Sequence, residues 1–202
     1  MGIDFAPLIT FVMVTTFTPG PNNISSAAMG LLYGYRNTVS YLAGIAAGFF
    51  IIMLMCAYVS SALLKLMPAI EPLLRVVGAT YILWLAVGTA RASYIFSRGN
   101  ISPLGFKNGF LLQTFNPKVI IYGLTLYSSF LSSAAENQLA LSVFAALFAM
   151  TAFCATSTWA LSGASIKTYL REPRLRIVVN AVLVFLLVYA AVDLSGVFSL
   201  MN

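Results

Sequence analysis

Thr18-Pro19-Gly20-Pro21-Asn22-Asn23 interrupts an apolar segment about 15 residues after it begins, roughly the depth at which a spanning helix reaches the bilayer middle. A membrane anchor needs no break there. Two prolines remove two backbone donors and the glycine between them loosens the chain, so carbonyl and amide groups are freed where no water can satisfy them. Such a break is stable only where it lines a cavity or packs against protein. A second one, Thr114-Phe115-Asn116-Pro117-Lys118, falls at similar depth in a later apolar segment and brings a cation with it. One proline in a membrane helix is ordinarily a kink. Paired proline-interrupted segments in corresponding halves point instead to a transporter's substrate site.

The surrounding composition sets the class. Hydrophobic residues make up 60% of the 202 and charged residues only 8%, against roughly 25% charged in a soluble domain. The expected fold is an all-α integral membrane protein: six transmembrane helices in a 3+3 inverted repeat, with the first and fourth helices broken. The spans are placed at about 5–32, 38–64, 73–90, 105–131, 139–161 and 175–194. Residues 1–202 then form a single transmembrane domain with halves of about 1–98 and 99–202, divided by the basic connection Arg91 to Lys107. Met1-Gly2-Ile3-Asp4 has neither the basic region nor the cleavage site of a signal peptide and is read as the start of the first span. Gly44 and Gly48, beside Ala43 and Ala47, form a small-residue face for close helix packing; internal packing is the first reading and a homodimer contact the alternative. Tyr81 and Trp84 of the third span are expected to face inward.

Lysine and arginine placement gives the orientation. The loops after spans one, three and five hold Arg36, then Arg91, Arg98 and Lys107, then Lys167, Arg171, Arg174 and Arg176, whereas the opposite side holds Lys65 and Arg75. This eight-to-two split predicts both termini outside the cytoplasm. It also accounts for the net charge of +6 by contact with the anionic inner leaflet, with no need of nucleic acid.

Aligning Thr18 with Thr114 aligns Pro21 with Pro117. Three spans precede the second half, an odd number, so that half enters the membrane in the opposite sense. Asn116 before Pro117 has the pattern of a helix N-cap with proline at the first helical position, and Thr18 or Gly20 would serve similarly before Ile24 to Met29. Two half-helix amino termini would then face the midplane and favour an anionic group such as a carboxylate. Lys118 adds to that field, roughly 13 residues into its span, where a charge costs about 2.5 to 3.5 kcal/mol. Carbonyls freed at the ends of the preceding half-helices, with Asn22 and Asn23, are acceptors suited to an ammonium group. The residues lead to a small polar solute with a negative end, and an amino acid zwitterion matches both ends.

The remaining polar residues receive plainer readings. Histidine is absent, which removes the usual proton shuttle and the commonest transition-metal ligand. No metal or cofactor is expected. Lys118 is the candidate proton carrier, since burial and nearby positive helix ends both disfavour its charged form. Cys56 and Cys154 fall near opposite membrane faces and are read as packing residues rather than a disulfide. Asp4 and Asp193 sit towards outer span ends, and Glu71 with Arg75, one turn apart, is read as an interfacial pair. Ser162-Gly163 is similar to the nucleophile turn of intramembrane serine proteases, but without a histidine base no enzyme is expected. A non-transporting or channel-like subunit, using the breaks only for packing, is the alternative.

Thr18 to Asn23, Gly34-Tyr35-Arg36, Leu42-Ala43-Gly44, the run Gly78 to Leu85 and Asn116-Pro117-Lys118 together resemble the LysE superfamily of amino acid exporters over essentially the full chain. Within it the sequence is similar to the RhtB-like threonine/homoserine branch and most of all to the cysteine and O-acetylserine exporters, on Leu112-Gln113, Asn116, Lys118, Ile120 and Tyr122-Gly123. The resemblance implies proton-driven efflux of small neutral amino acids or their derivatives across the bacterial inner membrane. It adds Gln113 to a candidate substrate site of Thr18, Pro19, Gly20, Pro21, Asn22, Asn23, Asn116, Pro117 and Lys118.

Overall fold

The computed structural model describes residues 3–95, 103–134, 136–169 and 173–195, with the side chains of 59–68, 91–95, 167–169, 173–176 and some neighbouring positions left out. Arg98 and Arg171 lie outside the described residues, and the side chains of the expected Glu71 and Arg75 pair, of Asp193 and of Lys65, Arg91, Lys167, Arg174 and Arg176 are among those left out. Among the described residues every regular element is helical.

α1 (Phe5–Phe17) starts at Asp4, whose carboxylate accepts from the Ala6 N–H at 3.3 Å. Residues 18–20 are non-helical, and α2 (Pro21–Tyr33) follows with Gly20 at the N-cap and proline at its first position. Gly34 then takes φ 79°, a left-handed value that glycine adopts without steric cost, and this turns the chain into α3 (Tyr35–Ile95). α4 (Phe106–Thr114) and α5 (Pro117–Thr125) are separated by the second break. A π-helical turn, Leu126–Phe130, and a short 3-10 turn, Ser132–Ala134, lead to α6 (Gln138–Tyr169) and α7 (Pro173–Ser195).

The sequence predicts two spans where the structure has the one helical run α3. A straight helix would set Tyr41 and Tyr81 ~60 Å apart at 1.5 Å per residue. Yet the Tyr41 backbone packs against Gly109, and the Tyr81 hydroxyl donates to the neighbouring Asn108 carbonyl at 2.7 Å. The run therefore doubles back, giving a first arm that includes residues 35–58 and a second that includes 76–95. Pro68 and Pro72 lie between them, and proline is a leading cause of sharp helix kinks. Tyr35–Tyr58 of α3 and Gln138–Ile166 of α6 are long and apolar enough to cross a membrane, while Phe5–Phe17, Val76–Ala90 and Ile177–Val192 are shorter apolar helices. Large apolar side chains stand exposed along them, including Val14, Met150 and Phe185. Trp84 is among these, 51% exposed with its ring beside that of Tyr81, whereas the tyrosine reaches Asn108.

Two apolar cores divide the bundle. One gathers Val12, Phe49, Met53, Tyr122, Leu126 and Phe148; the other gathers Ile24, Ile45, Ile82, Leu112 and Leu187. Both breaks fall at the seam, since α1 and α5 contribute to the first core while α2 and α4 contribute to the second. Buried Asn23, Ser25, Ser26, Gln113, Asn116 and Thr156 cluster around these breaks. On the side of the second core the helices meet backbone to backbone. A Cβ on Gly30 would strike the Ala160 carbonyl, one on Gly163 the Ala27 carbonyl, one on Gly44 the Phe106 carbonyl, and one on Gly109 the Tyr41 carbonyl. Gly44 and Gly48 thus pack internally, Gly48 against the Gln113 side chain. Overpacking at such contacts costs about 1 to 3 kcal/mol or more. Gly163→Val and Gly109→Val are expected to lower the thermal unfolding midpoint in detergent by several degrees, whereas Gly88→Ala, with open space around it, holds or raises it. Equal effects at all three positions would refute this account of the packing.

Candidate functional site

The two half-helices α2 and α5 begin at Gly20 and Asn116, both with extended backbone and both followed by proline. Neither amino terminus has a side-chain cap. Asn116 occupies the expected N-cap position, but its side chain is turned away from the helix it precedes. Its Nδ2 instead donates towards Asn22 Oδ1 at 3.5 Å, the long end of hydrogen bonding. Asn22 Nδ2 in turn donates to Gln113 Oε1 at 2.7 Å. Three amides therefore link the two breaks through two hydrogen bonds that run in the same direction. Gln113 Nε2 at one end and Asn116 Oδ1 at the other are buried without a partner. A buried polar atom left unsatisfied costs about 1 to 3 kcal/mol.

The carbonyls at the end of α1, expected to be free for an ammonium group, are already taken. Asn23 Nδ2 donates to both Thr16 O and Thr18 O at 2.8 Å, and Trp159 Nε1 reaches from α6 to Phe17 O at 3.2 Å. Thr18 closes Val14 O with its N–H at 3.1 Å and Thr15 O with its hydroxyl at 3.0 Å. The Asn22 carbonyl accepts from Ser26 and Ser25 at 2.6 and 3.0 Å, and Tyr41 donates to Ser25 at 2.9 Å. The physical reason is the same throughout: a helix end in an apolar interior has no water to complete it.

Between the breaks lies a cavity of about 60 Å³. Of the predicted site residues, Thr18, Gly20, Pro21, Asn22, Asn23, Asn116 and Lys118 line it. Pro19, Gln113 and Pro117 are not part of the lining; Gln113 stands behind it, holding Asn22. Lys118 is exposed rather than buried. Its ammonium lies at the Gly20 turn, where an added Cβ would be 3.4 Å from Nζ. Among the described residues no carboxylate pairs with it. Thr15, Thr16, Phe49, Val119, Tyr122, Ala152 and Thr156 complete the wall, with the Tyr122 hydroxyl 3.4 Å from Thr16 Oγ1. Phe11 stacks on Tyr122 with ring centroids 5.6 Å apart.

These further lining residues escaped the sequence reading. One signal was present: Thr156-Ser157-Thr158 is a polar cluster inside an apolar span, and Thr156 and Ser157 are buried. Other residues play smaller parts than expected. Cys56 is buried with its thiol 3.7 Å from Ile120 O, but Cys154 is exposed and does not pack in a core; both are free. Ser162 is exposed and donates to Thr158 O at 2.8 Å within its own helix.

The LysE type translocator family model matches residues 13–196. The chain is 36% identical over 186 residues to the cysteine/O-acetylserine efflux protein of Salmonella typhimurium (strain LT2), covering 91% of this chain and 93% of that one. It is 36% identical over 183 residues to the protein of the same description from Escherichia coli (strain K12), with the same coverage of both chains. No solved structure matches. With the family model matching residues 13–196 and these relatives aligned over nine-tenths of both chains, the chain belongs to the LysE type translocator family.

Proposed function

We propose that this protein exports small neutral amino acids of the cysteine and O-acetylserine class across the bacterial inner membrane, by alternating access in a six-span 3+3 inverted repeat. Support comes from the family membership and from the names of the relatives, which are efflux proteins. The observation that carries the reading is the convergence on a single cavity of two uncapped, proline-started half-helix amino termini and one lysine with no carboxylate partner among the described residues. Amino termini and an ammonium group favour a carboxylate. The doubled-back course of α3 supports six crossings, because its two arms and α7 join the two broken helices and α6. In this reading both termini lie outside the cytoplasm, and the substrate enters from within.

Lys118 docks the substrate carboxylate as an accessible charge at the seam. Threonine, homoserine and a homodimer remain extensions of the same reading. A channel-like subunit, in which the breaks serve only packing, would leave solute selectivity independent of Lys118.

Three measurements follow. Mass spectrometry of the medium around cells expressing the chain should show selective appearance of cysteine or O-acetylserine, and Lys118→Ala at matched membrane abundance should reduce it ~10-fold or more, the scale of one charge-assisted bond. No difference between variant and wild type would sink the docking role. If Lys118 also carries the coupling proton, Lys118→Arg should lose uncoupler-sensitive export despite retaining the charge; retained export restricts Lys118 to docking. Reporter fusions at the carboxyl terminus should be active when the reporter works outside the cytoplasm and silent when it works inside, and the reverse result would invert the assigned orientation.

A further inference from the structure

The three-amide chain across the breaks has a direction, and neither end of it is satisfied. Asn116 donates towards Asn22 and Asn22 donates to Gln113, which leaves Asn116 Oδ1 as an acceptor at the cavity end and Gln113 Nε2 as a donor at the far end. Asn116 is 3% exposed and Gln113 0%, so these amides cannot turn to bulk water. The chain is also fixed from behind, since the Gln113 side chain rests against Gly48, where an added Cβ would come within 2.9 Å of Gln113 Cβ.

The backbone acceptors at the end of α1 are spent. Every carbonyl from Val14 to Thr18 already receives a donor from Thr18, Asn23 or Trp159. A solute bringing a positive, multiply donating group to this cavity meets a wall residue, Asn116, whose side-chain oxygen is buried without a partner. Lys118, at the adjacent position in sequence, lines the same cavity with the opposite sign of charge.

We infer that Asn116 Oδ1 receives the α-ammonium group of the transported amino acid, while Lys118 receives its carboxylate, and that Gln113 and Asn22 are positioning residues that keep the Asn116 oxygen available. This rests on the amino acid efflux reading and extends it by dividing the zwitterion between two adjacent residues. Because each amide has one acceptor and one donor side, reversing Asn116 would turn its donor towards the solute and repel an ammonium; the Asn22 and Gln113 contacts oppose that reversal. The site then discriminates by charge placement: a carboxylate without an α-ammonium leaves Asn116 Oδ1 unsatisfied.

The test is calorimetric binding to the purified full-length protein, with L-cysteine, 3-mercaptopropionate, which lacks the α-amino group, and cysteamine, which lacks the carboxylate. Wild type should bind L-cysteine tighter than either analogue. Asn116→Leu should weaken L-cysteine ~10-fold and leave 3-mercaptopropionate within ~2-fold, the scale of one hydrogen bond to a charged group. Asn116→Asp, nearly isosteric though without the donor to Asn22, should tighten cysteamine and weaken 3-mercaptopropionate, measured on protein shown to be folded. Gln113→Leu should erode the preference for L-cysteine over 3-mercaptopropionate without abolishing binding, which a residue serving stability alone would not do. Parallel weakening of L-cysteine and 3-mercaptopropionate in Asn116→Leu, or unchanged cysteamine binding in Asn116→Asp, overturns the assignment while leaving amino acid efflux standing. Failure of folded wild type to bind either L-cysteine or O-acetyl-L-serine overturns the efflux reading and the assignment with it.

Discussion

Unwound backbone inside an apolar bundle must find hydrogen-bond partners within the protein, and that constraint organises the rest of this structure. Pro19 and Pro21 together with Gly20 end α1 and begin α2 with the seam between them. The freed carbonyls draw in Asn23 from the following half-helix and Trp159 from α6. The second break draws Asn116 and Gln113 towards Asn22. What results is a polar layer between two apolar cores, held by side chains from three different helices. Its few unsatisfied atoms stand out because so many of the others are satisfied.

The two cores differ in how they are built, and this bears on movement. Around the second core, glycines let α2 approach α6 and α4 approach α3 until a Cβ would strike a carbonyl. Contacts of that kind admit little sliding, since packed interiors resist small deformations. Around the first core, α1 meets α5 and the π-helical turn through rings, with Phe11 stacked on Tyr122 and Phe130. The cavity lies where the two kinds of packing join, next to Phe49 and Tyr122.

The chemistry of the seam follows from its two signs. Lys118 supplies a positive charge close to two helix amino termini, and the amides supply neutral acceptors and donors in fixed directions. An exposed lysine beside a buried amide chain suits a ligand whose charged ends differ in how much water each must lose. The chain has no histidine, and no cluster of three or more metal-ligating residues occurs among the described residues.

Much of this was legible in the chain itself. The Pro-Gly-Pro and Asn-Pro elements located two breaks, because a missing N–H acts locally, although α3 continues as a helix through Pro68 and Pro72. Composition determined that the elements are helical, and the N-cap-plus-proline pattern located the starts of α2 and α5. Gly44 and Gly48 announced a close approach but not the partner. Only the tertiary structure decided that Asn116 turns from its own helix to Asn22, that Asn23 and Trp159 use up the carbonyls of α1, and that Lys118 is exposed. It alone brought in Thr156 and Tyr122, and it joined the second and third predicted spans into one doubled-back helix. The reason is physical: backbone breaks and helix propensity depend on neighbours in sequence, whereas the choice of hydrogen-bond partner depends on which helices meet, here across 91 residues between Asn22 and Gln113.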